Sequence, residues 1–239
     1  MKLLEVNNIS VSYHKRLQVL WDISLEINEG ECIALVGVNG AGKTTLINTI
    51  CGIIHPHKGS ITFADKRIDN LEPYNIASLG LIQVPEGGGL FPKLTVKENL
   101  LMGCFLKERR KKALQQLEEV YKVFPWLRER ENQPAGSLSG GQRQMLAIAR
   151  GLMASPKLLM IDEVSLGLSP LAIKEVYKKI KEIKNLGVTT LIVDENARRA
   201  LSICDRAYVI EAGRIVLSGK PAELLANKEF EKVYFGVEV

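Results

Sequence analysis

A glycine-rich stretch near the amino terminus has the spacing that phosphate binding requires. The segment GVNGAGKTT matches the P-loop pattern GxxxxGK[ST], in which glycines let backbone N–H groups turn inward around an anion. We expect Lys43 to reach the β- and γ-phosphates of a nucleoside triphosphate and the hydroxyl of Thr44 to ligate Mg²⁺. The residues predicted to form the cradle are Gly37, Val38, Asn39, Gly40, Ala41, Gly42, Lys43, Thr44 and Thr45. An apolar run precedes the loop and a helical pattern follows it, which separates a P-loop from a plain glycine turn.

An acidic pair farther along the chain complements this loop. The segment LLMIDE is an apolar run that ends in Asp162 and Glu163. If the run is a strand ending at the phosphates, Asp162 joins the Mg²⁺ shell, and Glu163 is placed to polarise an attacking water. Strands often end in acids, so the pair has this meaning only together with the P-loop. The combination predicts nucleotide hydrolysis, with Lys43 and Glu163 in catalytic roles.

A second glycine turn stands about twenty residues before the acid-ending run. Its sequence is LSGGQ, which comprises Leu138, Ser139, Gly140, Gly141 and Gln142. A glycine turn at the start of a helix is itself an anion site, because free backbone N–H groups and the helix dipole both favour negative charge. One nucleotide does not need two separate phosphate cradles in one subunit.

The apolar pattern indicates the elements that must position these residues. Alternation over residues 3–13 and 19–27 predicts two half-buried strands, and the continuous runs at 32–37, 157–162 and 188–194 predict strands covered on both faces. Strand–helix alternation of this kind predicts a parallel α/β core. The remaining predicted elements are helices near 42–51, 172–184 and 197–203 and a hairpin over 207–219 that turns at Ala212-Gly213.

The middle of the chain differs from both ends. Residues 87–155 carry little strand signal, and apolar residues in 107–124 recur at helical spacing. We therefore expect one domain over residues 1–239 with a helical subdomain at approximately 87–155. The basic cluster at 107–112 is typical of a solvated helix face, although a binding role stays open.

The composition limits the alternatives. The 239 residues are 46% hydrophobic and 25% charged, which suits a large core and is unlike a disordered chain. No apolar run approaches the roughly 18 residues that cross a bilayer, and the start lacks the apolar centre of a signal peptide, so a role at a membrane requires a partner. The four cysteines form no CxxC pair and the three histidines show no metal-ligand spacing, which favours reduced thiols. The net charge of +5 is too mild to demand nucleic acid.

The LSGGQ segment resembles the signature of ATP-binding-cassette (ABC) ATPases, and the resemblance covers essentially the whole chain. LFPKLTVKENL is similar to the family segment that enters the helical subdomain, and GRIVLSGKPAELL to the family's usual end. The resemblance implies an α/β P-loop NTPase core, an N-terminal antiparallel β subdomain, a helical subdomain, and ATP with Mg²⁺. It also implies head-to-tail dimers in which each signature caps the γ-phosphate held by the other P-loop. Tyr13 matches the family's adenine-stacking aromatic, although a lone tyrosine in a strand can also be a core residue.

Within the family, the chain is most similar to LivF-type subunits of branched-chain amino-acid importers. The segments that carry this resemblance are VPEGGGLFPKLTVKENLLMG, DEVSLGLSP, IVDENARRAL and VYFGV. It implies a motor subunit at the cytoplasmic face of the cell membrane. Its expected partners are a second, related ABC ATPase in a heterodimer, transmembrane permease subunits and, indirectly, a solute-binding protein. Importers for urea, amides or other amino acids carry similar motors, so the solute stays open. The sequence also leaves open whether the working dimer is a homodimer or a heterodimer.

Several positions depart from the general ABC pattern. Glu86 stands where that pattern has Gln, as it does in the LivF type, and is a candidate nucleotide contact and Mg²⁺ ligand. Gln83 lies three residues too early for that role. Gly88 and Gly89 replace a basic pair that is common in the subfamily.

Three departures follow the acidic pair. Val164 replaces a usual Pro, Ser169 stands where many ABC proteins have the D-loop Asp, and Glu195 aligns with the His that contacts the γ-phosphate. An ionised carboxylate cannot donate a hydrogen bond and repels phosphate unless it is paired. We therefore expect Glu195 to be a degenerate switch residue and this chain's P-loop to be the weaker of two unequal ATP sites. Alternatively, Glu195 caps the helix that begins near Ala197, or points to solvent.

The leading interpretation is a transport ATPase. One alternative is a soluble ABC ATPase acting on nucleic acid or ribosomes, but no basic stripe interleaved with aromatic residues supports it. A second is a regulatory subunit with little turnover, which Lys43, Asp162 and Glu163 argue against. Copurification with membrane subunits would favour transport, and turnover stimulated by nucleic acid would favour the first alternative.

Overall fold

The computed structural model of the protein describes residues 1–13, 17–105, 110–228, 230 and 234. Half of the predicted basic cluster, His14 and most of the closing VYFGV segment lie outside these residues. The described strands form two sheets. The first is antiparallel, with strand order β2-β1-β4-β5. Its strands are β1 (Lys2–Tyr13), β2 (Leu17–Asn28), β4 (Lys58–Phe63) and β5 (Lys66–Arg67).

The second sheet positions the residues predicted to bind and hydrolyse the nucleotide. Its strand order is β10-β9-β3-β8-β7-β6, and every neighbouring pair is parallel except the β9–β10 hairpin at the edge. Parallel strands end at one edge of a sheet, so the segments that follow β3, β7 and β8 meet there. The strands are β3 (Cys32–Val36), β6 (Leu81–Val84), β7 (Leu158–Ile161), β8 (Thr189–Asp194), β9 (Arg206–Glu211) and β10 (Arg214–Gly219).

Two hydrophobic cores lie on the two faces of this sheet. Along β3, Ile33 and Leu35 pack with the antiparallel sheet, whereas Ala34 and Val36 pack with helices on the other face. Successive side chains of a strand point to opposite faces, so burial on both sides explains why the run is continuously apolar. The central strand is therefore fixed from both sides just before the P-loop begins.

Helices cover the face of the parallel sheet that carries Ala34 and Val36, and they join the strands. Between β6 and β7, the helices α3 to α6 bury apolar side chains such as Leu100, Leu117 and Leu146 in one core. The helices of the described residues are α1 (Lys43–Ile50), α2 (Pro73–Leu79), α3 (Val96–Leu101), α4 (Ala113–Val123), α5 (Pro125–Glu129), α6 (Gly140–Met153), α7 (Pro170–Asn185), α8 (Ala197–Leu201) and α9 (Pro221–Leu225). Short 3₁₀ turns occupy Met102–Cys104 and Ala135–Ser137.

The predicted α/β fold with an amino-terminal antiparallel sheet is confirmed. The predicted strands, helices and hairpin all occur, with ends that differ from the expected ones by a few residues. The sequence interpretation missed the helices α2 and α9 and the strands β4, β5 and β6. Among the helices of the described residues, none is long and apolar enough to pass through a bilayer.

Candidate nucleotide-binding site

The P-loop connects β3 to α1 and depends on two of its glycines. At Gly42, just before α1, φ is +107°, and an added Cβ would lie 2.8 Å from Leu20. At Gly37, an added Cβ would overlap the carbonyl oxygen of Ile210 in β9. The close approach of neighbouring strands and the left-handed turn therefore require glycine at both positions.

Lys43, the first residue of α1, points back into the loop. Its side chain is only 4% exposed, and Nζ donates hydrogen bonds to the carbonyl oxygens of Gly37 at 2.9 Å and Val38 at 3.3 Å. The same nitrogen lies 3.3 Å from Oε1 of Glu163, whose side chain is 10% exposed. The structure thus brings together two of the predicted catalytic residues, which are 120 positions apart in the sequence.

Asp162 follows β7 and is only 1% exposed. Burial raises the pKa of its carboxyl to about 6; the neighbouring Glu163 and Glu86 carboxylates add to the rise, whereas Lys43 and the Thr44 hydroxyl lower this pKa. Oδ1 of Asp162 has no hydrogen-bond partner among the described residues. Buried carboxylate oxygens normally have partners, and this one suits an oxygen-seeking cation such as Mg²⁺. Within the described ranges, no cluster of three or more His, Cys, Asp or Glu side chains is arranged to hold a metal alone.

Glu163 stands in a strained conformation next to Asp162. Its φ is +48°, in the left-handed region that non-glycine residues seldom adopt. Burial raises the pKa of its carboxyl, and Asp194 and Glu195 add to the rise, although the Lys43 ammonium lowers it. The residue is therefore held in an uncommon backbone geometry beside the phosphate loop, where strain often accompanies function.

A cavity of about 330 Å³ unites most of the predicted nucleotide contacts. Its lining includes Lys43, Thr44, Glu86 and Glu163. Gln83, which was not assigned the Gln role of the family, lines a different groove on the helical side. The full lining is Val19, Asn39, Gly40, Gly42, Lys43, Thr44, Thr45, Glu86, Glu163 and Leu166.

Tyr13 lies beside this cavity and does not line it. The residue is 39% exposed, and its hydroxyl is 3.3 Å from Oγ1 of Thr45. An aromatic side chain that is exposed next to the P-loop is available to a planar base. Val19 of β2 reaches the cavity itself.

Glu195 immediately follows β8 and binds the P-loop. It is exposed, and its Oε2 accepts a hydrogen bond of 2.8 Å from Nδ2 of Asn39. Capping of α8 belongs to Asn196, whose side chain accepts a hydrogen bond from the N–H of Arg199. Of the two alternatives to a phosphate-facing role, capping by Glu195 is therefore not observed.

The signature lies outside the cavity. Ser139 and Gln142 form a reciprocal capping box at the start of α6. Gly141 packs against α7, where an added Cβ would lie 2.6 Å from the Cβ of Ala172, whereas one at Gly140 would make an ordinary 3.4 Å contact with Leu168. No signature residue lines the cavity of this chain's P-loop.

Sequence reasoning missed a buried network next to the site. Asp194, the last residue of β8, is fully buried and accepts hydrogen bonds from Ser165 and Tyr177. The sequence signal was an apolar strand that ends in an acid, the same signal that identified Asp162. The segment IVDENARRAL contains Asp194, but the resemblance assigned a role only to the neighbouring Glu195.

Comparison with known proteins shows the family of the chain. The family model described as "ABC transporter" matches residues 20–165. The chain is 43% identical to the high-affinity branched-chain amino acid transport ATP-binding protein BraG of Pseudomonas aeruginosa, over 94% of this chain and 96% of the relative. It is 35% identical to a probable branched-chain amino acid transport ATP-binding protein LivF of Archaeoglobus fulgidus, over 94% and 95%. It is also 34% identical to the lipopolysaccharide export system ATP-binding protein LptB of Haemophilus influenzae, over 99% and 98%.

The fold agrees with solved cassettes as well. A crystal structure of the ADP conformation of an ATP-binding cassette from an ABC transporter superimposes with a TM-score of 0.85 at 28% identity, over 99% of this chain and 100% of that one. The fold and the P-loop define a nucleotide-hydrolysing P-loop protein. The chain belongs to the ABC transporter family, as an ATP-binding subunit with ATPase activity. The predicted similarity to branched-chain amino-acid transport subunits is confirmed.

Proposed function

We propose that this subunit is the motor of an ABC importer for branched-chain or related amino acids. The observation that carries the proposal is the 43% identity to BraG, which extends over nearly the full length of both chains. The subunit would work at the cytoplasmic face of the cell membrane, bound to transmembrane permease subunits. A solute-binding protein would deliver the amino acid on the other side, and nucleic acid has no part in the cycle.

The site residues divide the chemistry among them. Lys43 neutralises charge on the β- and γ-phosphates, and the P-loop N–H groups bind their oxygens. Glu163 orients the attacking water and accepts its proton. Tyr13 stacks on the adenine. Mg²⁺, held by Asp162 and Thr44 with Glu86 as a further candidate, would supply charge neutralisation at the phosphates; the unpartnered Oδ1 of Asp162 supports this assignment.

The signature acts on a second nucleotide. Residues 138–142 lie outside this chain's own cavity, and the start of α6 offers backbone N–H groups to an anion. In a head-to-tail dimer these groups would contact the γ-phosphate held by the partner's P-loop. We expect the partner to be a related ATPase subunit, so that the two ATP sites are unequal.

An exposed apolar groove on the helical side supports a contact with the permease. The groove measures about 300 Å³, and Phe91, Met102 and Phe105 expose large apolar side chains along it. Tyr74 extends the patch, with its ring centroid 5.9 Å from that of Phe105. Exposed apolar patches rimmed by polar groups are typical of protein interfaces. Arg150 lines the same groove and reaches the Gly88-Gly89 turn beside Glu86, which would link a docked permease segment to the nucleotide cavity.

Reconstituted transport tests the proposal. The subunit should be assembled with the permease and ATPase subunits encoded beside it, in vesicles that contain ATP, with the cognate solute-binding protein outside. We expect uptake of radiolabelled leucine that requires ATP, with lysine as the control solute. Because LptB is a full-length relative at 34% identity, the matched assay is release of lipopolysaccharide from the same vesicles. ATP-dependent lipopolysaccharide release without leucine uptake would contradict the importer proposal and would indicate an exporter instead.

A second measurement separates transport from the soluble alternatives. Turnover by the subunit should rise when the permease and the solute-loaded binding protein are present, and should not respond to RNA or DNA. Stimulation by nucleic acid alone would contradict a transport role. Full transport by an assembly in which this chain carries Lys43→Ala would instead support a regulatory role.

A further inference from the structure

Asp194 is a carboxylate with no exposure to solvent, and each of its oxygens has a different task. Oδ1 accepts hydrogen bonds from Oγ of Ser165 at 3.0 Å and from the N–H of Asn196 at 2.8 Å. Oδ2 accepts one from the hydroxyl of Tyr177 at 2.7 Å. A buried carboxylate is costly unless it is well paired, so this arrangement must offset its desolvation through all three donors. The donors come from three places: the loop after Glu163, the helix α7 and the turn into α8.

The loop that carries Glu163 has few other short restraints. The N–H of Val164 is 3.4 Å from the carbonyl oxygen of Val193, and the N–H of Leu166 is 3.4 Å from that of Glu163. A third bond, from the N–H of Leu168 to the carbonyl oxygen of Ser165, measures 3.3 Å. These distances exceed the usual 2.7–3.2 Å range for N–H···O bonds and indicate weak restraint. The Ser165–Asp194 bond at 3.0 Å lies within the 2.5–3.0 Å range of O–H···O bonds, at its long end, and Asp194 lies on a strand that is buried along its whole length.

Glu163 needs an external restraint because its backbone is strained. A non-glycine residue at φ +48° stays there only where its surroundings hold it. Ser165 lies two residues away, so fixing its side chain to β8 limits how the intervening backbone can relax. Lys43 holds the carboxylate of Glu163, but a bound phosphate would compete for that ammonium.

We propose that Asp194 is a positioning residue for ATP hydrolysis, which acts through Ser165 to hold Glu163 at the attacking water. This inference rests on the proposed role of Glu163. Asp194 itself is buried behind the site and touches no reacting atom. Its Tyr177 bond, on the opposite oxygen, anchors α7 and has a structural role.

The two oxygens allow a matched pair of variants. Ser165→Ala removes a donor from Oδ1 and leaves the Tyr177 bond, whereas Tyr177→Phe removes the donor from Oδ2 and leaves the Ser165 bond.

In the assembled transporter, with the partner's site inactivated, Ser165→Ala should lower kcat about tenfold to a hundredfold, because a small misplacement of a catalytic group has effects of that size. The Kd for MgADP, measured by calorimetry on the isolated chain, should change by less than about twofold, because Ser165 does not line the nucleotide cavity. Tyr177→Phe should lower the urea midpoint of unfolding and keep kcat within about twofold.

A conservative variant at Asp194 tests whether an acceptor oxygen for Ser165 restores turnover. Asp194→Asn keeps an acceptor oxygen for Ser165 and places an amide toward the Tyr177 hydroxyl, so it should retain more turnover than Asp194→Ala. If Asp194→Ala fails to fold, Ser165→Ala and Asp194→Asn still test the proposal. Equal losses of kcat in Ser165→Ala and Tyr177→Phe would overturn it, because both would then report general destabilisation of the fold.

A double-mutant cycle with Glu163→Gln separates this inference from the role on which it rests. If Ser165 and Asp194 act through Glu163, adding Ser165→Ala to Glu163→Gln should not lower the residual turnover further. Additive losses would contradict the inference. If Glu163→Gln alone leaves turnover unchanged, the proposed role of Glu163 fails. If Glu163→Gln abolishes turnover while Ser165→Ala retains it, only the positioning by Asp194 fails.

Discussion

Lys43 and Glu163 form an ion pair inside the nucleotide cavity, with Nζ 3.3 Å from Oε1. Both side chains are nearly buried, at 4% and 10% exposure, so each supplies the charge that the other needs in the absence of nucleotide. A phosphate in the P-loop would take the ammonium as its own partner. ATP binding is therefore expected to release Glu163 from Lys43 and to leave its carboxylate available for its proposed role at the attacking water.

Lys43→Ala should remove most of the affinity for MgATP. A hydrogen bond between charged groups contributes about 1.5–3 kcal/mol, which corresponds to a roughly tenfold to hundredfold rise in Kd. Isothermal titration calorimetry on the isolated chain measures the change. Lys58→Ala is the matched control, because Lys58 forms an exposed ion pair with Asp22 away from the cavity. Unchanged affinity in Lys43→Ala would show that the P-loop does not bind phosphate in the expected way.

Glu163→Gln should keep ATP binding and slow hydrolysis. The amide retains the shape of the side chain but cannot accept a proton from water, so turnover should fall by about two to four orders of magnitude. The variant should also accumulate an ATP-bound dimer with its partner, detectable by light scattering. The measurement requires an assembly whose partner site is inactivated. Glu119→Gln is the control for loss of a carboxylate, because Glu119 forms an exposed ion pair with Lys122 outside the cavity. Near wild-type turnover in that assembly would reject a dominant role for Glu163.

Asp162 should make the nucleotide-free protein less stable as the pH rises. Its pKa is about 6 in the folded protein and about 3.8 in the unfolded chain, so the folded state binds the proton more tightly. The resulting stabilisation is complete below about pH 4 and is lost as the pH rises through 6. Between pH 5 and pH 7.5, the free energy of unfolding should fall by roughly 1–2 kcal/mol relative to Asp162→Asn, which does not titrate.

Urea denaturation in EDTA at the two pH values tests this expectation. The difference between the wild-type chain and Asp162→Asn isolates this group from all other titrations. MgADP should reverse the trend for the wild-type chain, because a cation favours the ionised carboxylate. A pH-independent difference between the two proteins would show that Asp162 is already ionised at pH 5.

The sequence predicted those elements whose burial leaves a clear apolar pattern and missed those without one. The strands β3, β7 and β8 are predictable because burial on both faces makes them continuously apolar. The short strand β6 was missed because its four residues include the polar Gln83 and end just before a proline. Helix α2 was missed because it buries only Ile76 and therefore shows no apolar stripe.

The site residues also fall into a group that the sequence predicts and a group that it does not. Lys43, Asp162 and Glu163 belong to contiguous motifs whose chemistry fixes their spacing. The contacts between Asp194, Ser165 and Tyr177 join positions 17 and 29 residues apart that share no motif. Only the three-dimensional packing of β8 against α7 and the loop after β7 brings them together, so no local pattern could have predicted them.

The remaining prediction concerns an asymmetry between the two ATP sites of the working dimer. Glu195 stands where many ABC proteins carry His, and its carboxylate accepts a hydrogen bond from Asn39 in the P-loop. In this arrangement Asn39 holds Glu195 next to the phosphate cradle, where an ionised carboxylate disfavours a γ-phosphate. The signature of the same chain contains all five expected residues and can complete the partner's site. This chain's P-loop should therefore be the slower site, and its signature should serve the faster one.

Gly140→Asp and Glu195→Ala test this asymmetry without confusing folding with function. An aspartate at the first position of α6 suits the helix dipole, and an added Cβ at Gly140 makes only a 3.4 Å contact with a flexible leucine, so the fold should tolerate it. A substitution at Gly141 would instead push against Ala172 at 2.6 Å and mix the two effects. In the assembled heterodimer, Gly140→Asp should lower steady-state turnover by at least about tenfold through repulsion of the partner's γ-phosphate, whereas Glu195→Ala should change it by less than about threefold. Single-turnover hydrolysis, with each site inactivated in turn, measures the two rates directly, and equally fast sites would contradict the asymmetry.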